Sequence, residues 1–269
     1  GGNRFQLRTR GCCRTLKEDL GGGKMSDIVI KNLVCGYAEK KIFDGFDITF
    51  DENKINVVLG GSGVGKTTLL NAIASLKEYD GRIEGIDGGV SYIFQKDRLI
   101  PTISVYKNLD LVLRAVYKDK SVRKKTIEDM AKLVEIEDVL QNRANEISGG
   151  QAQRAAMARA FLYPSKILLL DEPFKALDIA LKSRLISKLV QLNEMQPRTI
   201  VFVTHSVDEC VLCADNYVVL EGNPVSVACE GRIDIPQSDR EVQDIRLENE
   251  RCKLLKTLTE QNTEQNNAN

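Results

Sequence analysis

Three things are missing from this sequence, and each narrows what the chain can be. No apolar run approaches the length needed to span a bilayer, and the N-terminus does not have the pattern of a secretory signal. Any role at a membrane is therefore expected to come through a partner chain. There is no excess of either charge: Lys+Arg and Asp+Glu are both 38, which argues against a broad nucleic-acid footprint. Histidine is nearly absent, His205 being the only one. The seven cysteines, Cys12, Cys13, Cys35, Cys210, Cys213, Cys229 and Cys252, form no disulfide framework and suit a reducing cytoplasm. Cys210 and Cys213 make a C-x-x-C. With apolar Val207, Val211 and Ala214 nearby, no second pair and a single histidine, the pair reads as a packed helix face and zinc is not expected.

What is present centres on Gly60, Gly61, Ser62, Gly63, Val64, Gly65, Lys66, Thr67 and Thr68. The stretch fits G-x-x-x-x-G-K-[ST], a phosphate-binding loop. Ile55 to Leu59 before it is an apolar run suited to a buried strand, and Leu69, Leu70, Ile73 and Leu76 after it recur at helical spacing. Glycines let backbone N–H groups turn inward, and the helix that follows aims its positive end at phosphate. Lys66 is expected on the β- and γ-phosphates, and the Thr67 hydroxyl on Mg²⁺. The chain is expected to bind a nucleoside triphosphate.

Further apolar runs end on polar groups. Val90 to Phe94 ends at Gln95; Ile167 to Leu170 ends at Asp171-Glu172-Pro173; Ile200 to Val203 ends at Thr204-His205. Buried parallel strands that deliver such groups at their C-terminal ends are where α/β folds place active sites. One carboxylate can hold Mg²⁺ and the other can activate water. Strands ending in solvated acids are common, but beside a phosphate loop the metal needs a ligand. A lone histidine is more often structural than catalytic; here its place at a strand end allows a γ-phosphate contact.

Residues 104 to 146 read as helical, an insertion between two parts of an α/β core. Ser148, Gly149, Gly150 and Gln151 then open another helix, with Ser148 suited to N-cap it. That start is either a second anion-binding terminus or a plain capped helix. Ile28 to Leu33 and Ile42 to Phe50 read as strands, and Tyr37 as an aromatic at a strand end. Residues 1–24 are expected to be a non-native or disordered leader before a start at Met25. Leu247, Leu254, Leu255 and Leu258 suggest a C-terminal amphipathic helix, followed by a disordered polar tail over 260–269.

Phosphate loop, Gln95, Ser148 to Gln151, Asp171-Glu172-Pro173, Ala176-Leu177-Asp178 and His205 together resemble the ATPase subunit of an ABC transporter, over about Ile28 to Leu220. The resemblance implies a P-loop α/β core over 25–259, with an antiparallel β subdomain and an α-helical subdomain at about 96–160. It implies ATP and Mg²⁺ as cofactors, with Tyr37 stacking on adenine. Gln95 would reach the metal and the attacking water, Asp171 would associate with Mg²⁺, Glu172 would be the general base and His205 would contact the γ-phosphate. Ser148, Gly149, Gly150 and Gln151 would complete the ATP site of a second subunit, with Asp178 linking the two sites. The implied partners are that second ATPase subunit, in a homodimer, an integral-membrane permease, and an extracytoplasmic solute-binding protein; no nucleic acid is implied. The place implied is the cytoplasmic face of the cell membrane.

Phe94 to Pro101 and Asp171 to Asp178 are also similar to bacterial importer ATPases of the nitrate/sulfonate/taurine group. Ile147, Thr102 and Lys175 depart from the usual leucine, tryptophan and glycine, without removing a group that hydrolysis needs. The rival readings are a soluble ABC-type ATPase acting on DNA or ribosomes, and a small kinase or GTPase. The zero net charge opposes the first; Ser148 to Gln151, His205 and the lack of an Asn-Lys-x-Asp motif oppose the second.

Overall fold

The structure, a computed structural model, describes residues 26–37, 40–175, 177–241 and 243–267. The leader expected over 1–24, the start at Met25, and Ala176 lie outside the described residues.

The chain builds a six-stranded and a three-stranded sheet. In the larger, β5 (Val90–Ile93), β6 (Ile167–Asp171), β7 (Thr199–Val203), β3 (Ile55–Gly60), β8 (Asn216–Glu221) and β9 (Ser226–Arg232) lie side by side in that order. All neighbours are parallel except β8 and β9, which pair antiparallel. Every residue of β3, β6 and β7 is buried. That is the signature of a sheet covered on both faces, and it explains why these strands read as unbroken apolar runs. Alternate side chains enter two different cores: Val57, Leu168 and Phe202 one, Val58, Leu169 and Val201 the other. Each such side chain contributes roughly 1.5–3 kcal/mol by leaving water.

The second core is closed by helix α1 (Lys66–Ile73), through Leu69, Leu70 and Ile73, and by the smaller sheet. There β1 (Ile28–Tyr37) pairs antiparallel with β2 (Lys40–Phe50) on one side and with β4 (Asp80–Glu84) on the other. This is the expected antiparallel β subdomain. The first core is covered by helices: α2 (Val105–Leu113), α3 (Lys120–Leu133), α4 (Gly149–Leu162), α5 (Ile179–Met195), α6 (Val207–Cys213) and α7 (Glu248–Asn267) all contribute to that side of the sheet or pack upon it.

Two expectations are corrected. The helical insertion is not helical from 104 to 146: α3 ends at Leu133, Glu135 takes a left-handed φ of 59°, and a single 3-10 turn, Glu137–Val139, follows. A left-handed residue just past the last turn is a common way to end a helix. At the C-terminus, α7 runs to Asn267, into the segment expected to be disordered. No glycine or proline interrupts Glu248 to Asn267, and extending a helix whose first turns are docked adds one bond per residue ordered. Cys210 and Cys213 are fully buried on α6, and burial pushes both thiols up, which suits inert packing groups.

One buried cation fixes the far end of α4. The Arg198 guanidinium donates to the carbonyls of Phe161 (2.7 Å), Tyr163 (3.1 Å) and Ala160 (3.2 Å), satisfying carbonyls that the helix end leaves without partners.

Candidate active site

Because β5, β6, β7 and β3 are parallel, their C-terminal ends lie along one edge of the sheet. Gln95, Asp171-Glu172, Thr204-His205 and the phosphate loop each follow one of these ends, so four distant stretches meet there. The topology brings the chemistry together; the individual side chains set its geometry.

The loop after β3 needs its glycines at two points. A Cβ on Gly60 would stand 2.7 Å from the Leu220 carbonyl oxygen. Gly65 has φ 119° and a Cβ there would stand 2.7 Å from Ile42 Cγ2, so a side chain is excluded both by conformation and by space. Gly65 occupies the N-cap position of α1 with no side chain capping the helix. The first N–H groups of α1 are thus unclaimed by any cap, as an anion-binding terminus requires. Lys66 is 5% exposed and turns back along the loop, donating to the carbonyls of Gly60 and Gly61, both at 2.7 Å. Burial lowers its pKa, opposed by the charges of Glu172 and Asp171.

At the end of β6 the Thr67 hydroxyl donates to both oxygens of Asp171, at 3.1 and 3.0 Å. Burial pushes the Asp171 carboxyl up, against the Thr67 hydrogen bond, and the neighbouring Glu172 charge adds to the rise. Two hard oxygen donors beside an uncapped helix terminus fit Mg²⁺, which is held by one or two protein oxygens together with substrate phosphates. Among the described residues no group of three or more His, Cys, Asp or Glu could hold a metal unaided.

Glu172 leaves the strand in a left-handed conformation, φ 46°, held by its N–H to the Val203 carbonyl at 2.9 Å. A non-glycine residue there is strained, and here the strain aims a carboxylate along the sheet edge. Three groups converge on it: Lys175 Nζ at 2.8 Å and Gln95 Nε2 at 3.4 Å on Oε2, and His205 Nδ1 at 3.3 Å on Oε1. Burial works to raise the Glu172 carboxyl, but the hydrogen bonds and charges of Lys175 and His205 outweigh it and hold it below the ordinary glutamate value.

The loop that carries Gln95 is itself restrained. Arg159 on α4 donates to the carbonyls of Arg98 (2.9 Å) and Asp97 (3.1 Å), the Arg98 guanidinium lies 3.7 Å over the Phe94 ring, and Phe94 stacks on Tyr92 at 4.0 Å. Gln153 Nε2, also on α4, donates to the Pro173 carbonyl just beyond Glu172. Helix α4 therefore grips two segments of the site. None of Lys175, Arg159 or Gln153 was singled out by pattern for a contact at this site. For Lys175 a signal existed, since it lies within a turn of Glu172; for the other two there was none.

The remaining expected residues stand apart from this cluster. Ser148 caps α4 by accepting from Gln151 N at 3.3 Å, while Gln151 Oε1 accepts from Ser148 N at 2.9 Å, with Gly149 and Gly150 between them. Asp178 caps α5, accepting from Leu181 N at 2.9 Å. Tyr37 is half exposed, and the Lys77 ammonium lies 4.1 Å over its ring. No helix among the described residues is long and apolar enough to cross a membrane.

Comparison with known proteins fits this geometry. The family model described as "ABC transporter" matches residues 43–175. The aliphatic sulfonates import ATP-binding protein SsuB 1 of Xanthomonas axonopodis pv. citri is 31% identical over 232 residues, covering 82% of this chain and 92% of that protein. The sn-glycerol-3-phosphate import ATP-binding protein UgpC 1 of Rhizobium johnstonii is 34% identical over 212 residues, 75% of this chain and 58% of that protein, so the chain spans little more than half of such longer relatives. Among solved structures, the dimeric ABC transporter cassette MJ0796 superposes with a TM-score of 0.69 at 26% identity, covering 78% of this chain and all of that one. On its motifs, its fold and these relatives, the chain belongs to the ABC transporter family.

Proposed function

We propose that this chain is the Mg²⁺-dependent ATPase subunit of an importer, acting as a homodimer at the cytoplasmic face of a membrane beneath a permease. The observation that carries the reading is the convergence of Gln95, Lys175 and His205 on Glu172, beside a phosphate loop whose helix has no cap. In this reading the α1 terminus and Lys66 bind the β- and γ-phosphates, Lys66 exchanging its loop carbonyls for phosphate oxygens. Thr67 and Asp171, with Gln95, would hold Mg²⁺, which when bound would neutralise charge on the phosphates. Gln95 and His205 place a water in line with the γ-phosphorus. Glu172 accepts a proton from that water as its oxygen bonds to phosphorus, and the bridging oxygen departs with ADP. His205 holds Glu172 in place and contacts the γ-phosphate. Tyr37 stacks on adenine.

Ser148, Gly149, Gly150 and Gln151 complete the site of the second subunit, and Asp178 lies in the loop between the sites. The dimeric form of MJ0796, and its post-hydrolysis form bound to ADP and Pi, support both the pairing and the reaction. The imported solute is proposed to be a small anion-bearing molecule of the nitrate/sulfonate/taurine kind, delivered by an extracytoplasmic binding protein. Support comes from Phe94 to Pro101 and Asp171 to Asp178 and from the sulfonate importer relative; other relatives are named for maltose or glycerol phosphate. The test is purification of the tagged chain from solubilised membranes of its source, followed by ATPase assay of what is recovered. The expected result is a multi-span membrane protein and Mg²⁺-dependent hydrolysis stimulated by sulfonate or nitrate with the binding protein. Hydrolysis with only ribosomal or DNA-bound partners would overturn transport.

A further inference from the structure

Outside the residues assigned above, one buried ionic group stands between two of them. Glu209, on α6, has a side chain only 3% exposed. A carboxylate that far from water needs partners, and it has one on each oxygen. Oε1 meets Lys182 Nζ at 2.8 Å, and Oε2 accepts from the Thr204 hydroxyl at 2.5 Å.

Each partner leads to a residue of the site. Thr204 precedes His205, and its Oγ1 also accepts from Ser206 N at 3.0 Å, so the residues on both sides of the imidazole are fixed by one hydroxyl. Glu209 N reaches Ser206 Oγ at 3.4 Å, closing the arrangement. On the other side, Lys182 lies in the first turn of α5, its N–H donating to the Asp178 carbonyl at 2.9 Å. A path thus runs from Asp178 by a main-chain hydrogen bond to Lys182, by side-chain contacts through Glu209 to Thr204, along the chain to His205, and from His205 to Glu172.

We propose that Lys182 and Glu209 are positioning residues whose ion pair ties the Asp178 loop to the strand end carrying His205, so that contact made at Asp178 by the second subunit sets where the imidazole stands against Glu172. This inference rests on the roles proposed above for His205 and Asp178. It predicts that the pair acts through His205 and not through general stability.

His205 is the only histidine of the chain, so protein made without a histidine tag gives a single set of imidazole NMR resonances. In the nucleotide-free chain, Lys182→Met is expected to shift those resonances clearly more than Lys188→Met, a control further along α5. Glu209→Gln, which keeps an acceptor for Thr204 but loses the charge, is expected to shift them in the same way and serves if the methionine variant does not fold. In ATPase assays Lys182→Met should lower kcat roughly tenfold with KM within about twofold, as loss of alignment does. Lys182→Arg should restore both spectrum and rate. Added to His205→Ala, Lys182→Met should cost nothing more. Imidazole resonances unmoved in both variants, or a double variant slower than His205→Ala by the full factor, would overturn the proposal. A wild-type chain that fails to hydrolyse ATP with its membrane partner would instead sink the proposed function, while the nucleotide-free spectra still decide the positioning role.

Discussion

Helix α1 follows Gly65 and helix α4 opens at Gly149, and both are proposed to meet phosphate, yet their N-termini are built in opposite ways. At α1, Gly65 offers no side chain to the first turn, and the nearest cation, Lys66, is folded onto carbonyls of its own loop. At α4, Ser148 and Gln151 satisfy each other in a full capping box. The first terminus waits for an anion from outside; the second is complete as it stands. Their surroundings differ likewise, since Thr67 of α1 meets Asp171 within one chain, while the side-chain hydrogen bonds of Ser148 and Gln151 are with each other. The comparison teaches that the residues proposed for catalysis are brought together within one chain, whereas Ser148 to Gln151 form a helix start whose own polar groups are already satisfied, and which in the proposed function meets phosphate only in a second chain.

The sharpest way to break the comparison is at the assembled half. Glu172→Gln keeps size and hydrogen bonding but removes the base. Turnover should fall on the order of 10²–10⁴-fold, while ATP still binds. Near-normal turnover in a steady-state assay would take Glu172 out of the base role. Next in size, Lys66→Ala deletes a charged donor to phosphate and should weaken ATP binding by roughly 10–100-fold in calorimetric titration. Unchanged affinity would mean that Lys66 stays on its loop carbonyls in the bound state.

At the other terminus the expected effect is on the fold. Ser148→Ala removes the cap and should lower stability by about 1 kcal/mol in denaturant unfolding, with monomer ATP affinity unchanged. Loss of monomer ATP affinity in that variant would show that α4 already serves the site of its own chain. Smallest is Lys175→Gly. The lysine is 51% exposed, so its pair with Glu172 is worth at most about 1 kcal/mol and turnover should change no more than about fivefold. The sign on pH is fixed: Lys175 helps hold the Glu172 carboxyl down, so the acid limb of the rate profile should move to higher pH when it is removed. Any stability that Glu172 contributes through its lowered pKa is present above the ordinary glutamate value and is lost as pH falls through the lower folded value.

Much of this was legible in the sequence because the decisive residues sit at the ends of apolar runs. Ile167 to Leu170 and Ile200 to Val203 read as buried strands, so Asp171, Glu172 and His205 emerge along one edge once the strands are parallel. Other features left no trace in pattern. Strand β4 is mostly exposed and is held by β1 through backbone pairing, with Ile83 its one apolar contribution. The grip of Arg159 on the carbonyls of Asp97 and Arg98 joins residues 61 and 62 apart, and backbone acceptors carry no sequence signal. The end of α3 is set by the left-handed Glu135, a residue type that does not advertise that conformation. Lys77 over the Tyr37 ring likewise follows from the meeting of two segments that the sequence keeps separate.

In the proposed function one chain carries half of each ATP site, and ATP is what joins the halves. Analytical ultracentrifugation of Glu172→Gln with Mg²⁺ and saturating ATP tests it most directly. The account predicts a dimer with ATP and a monomer with ADP or without nucleotide. A species that remains monomeric under saturating ATP, or one that is dimeric whatever nucleotide is present, would contradict it.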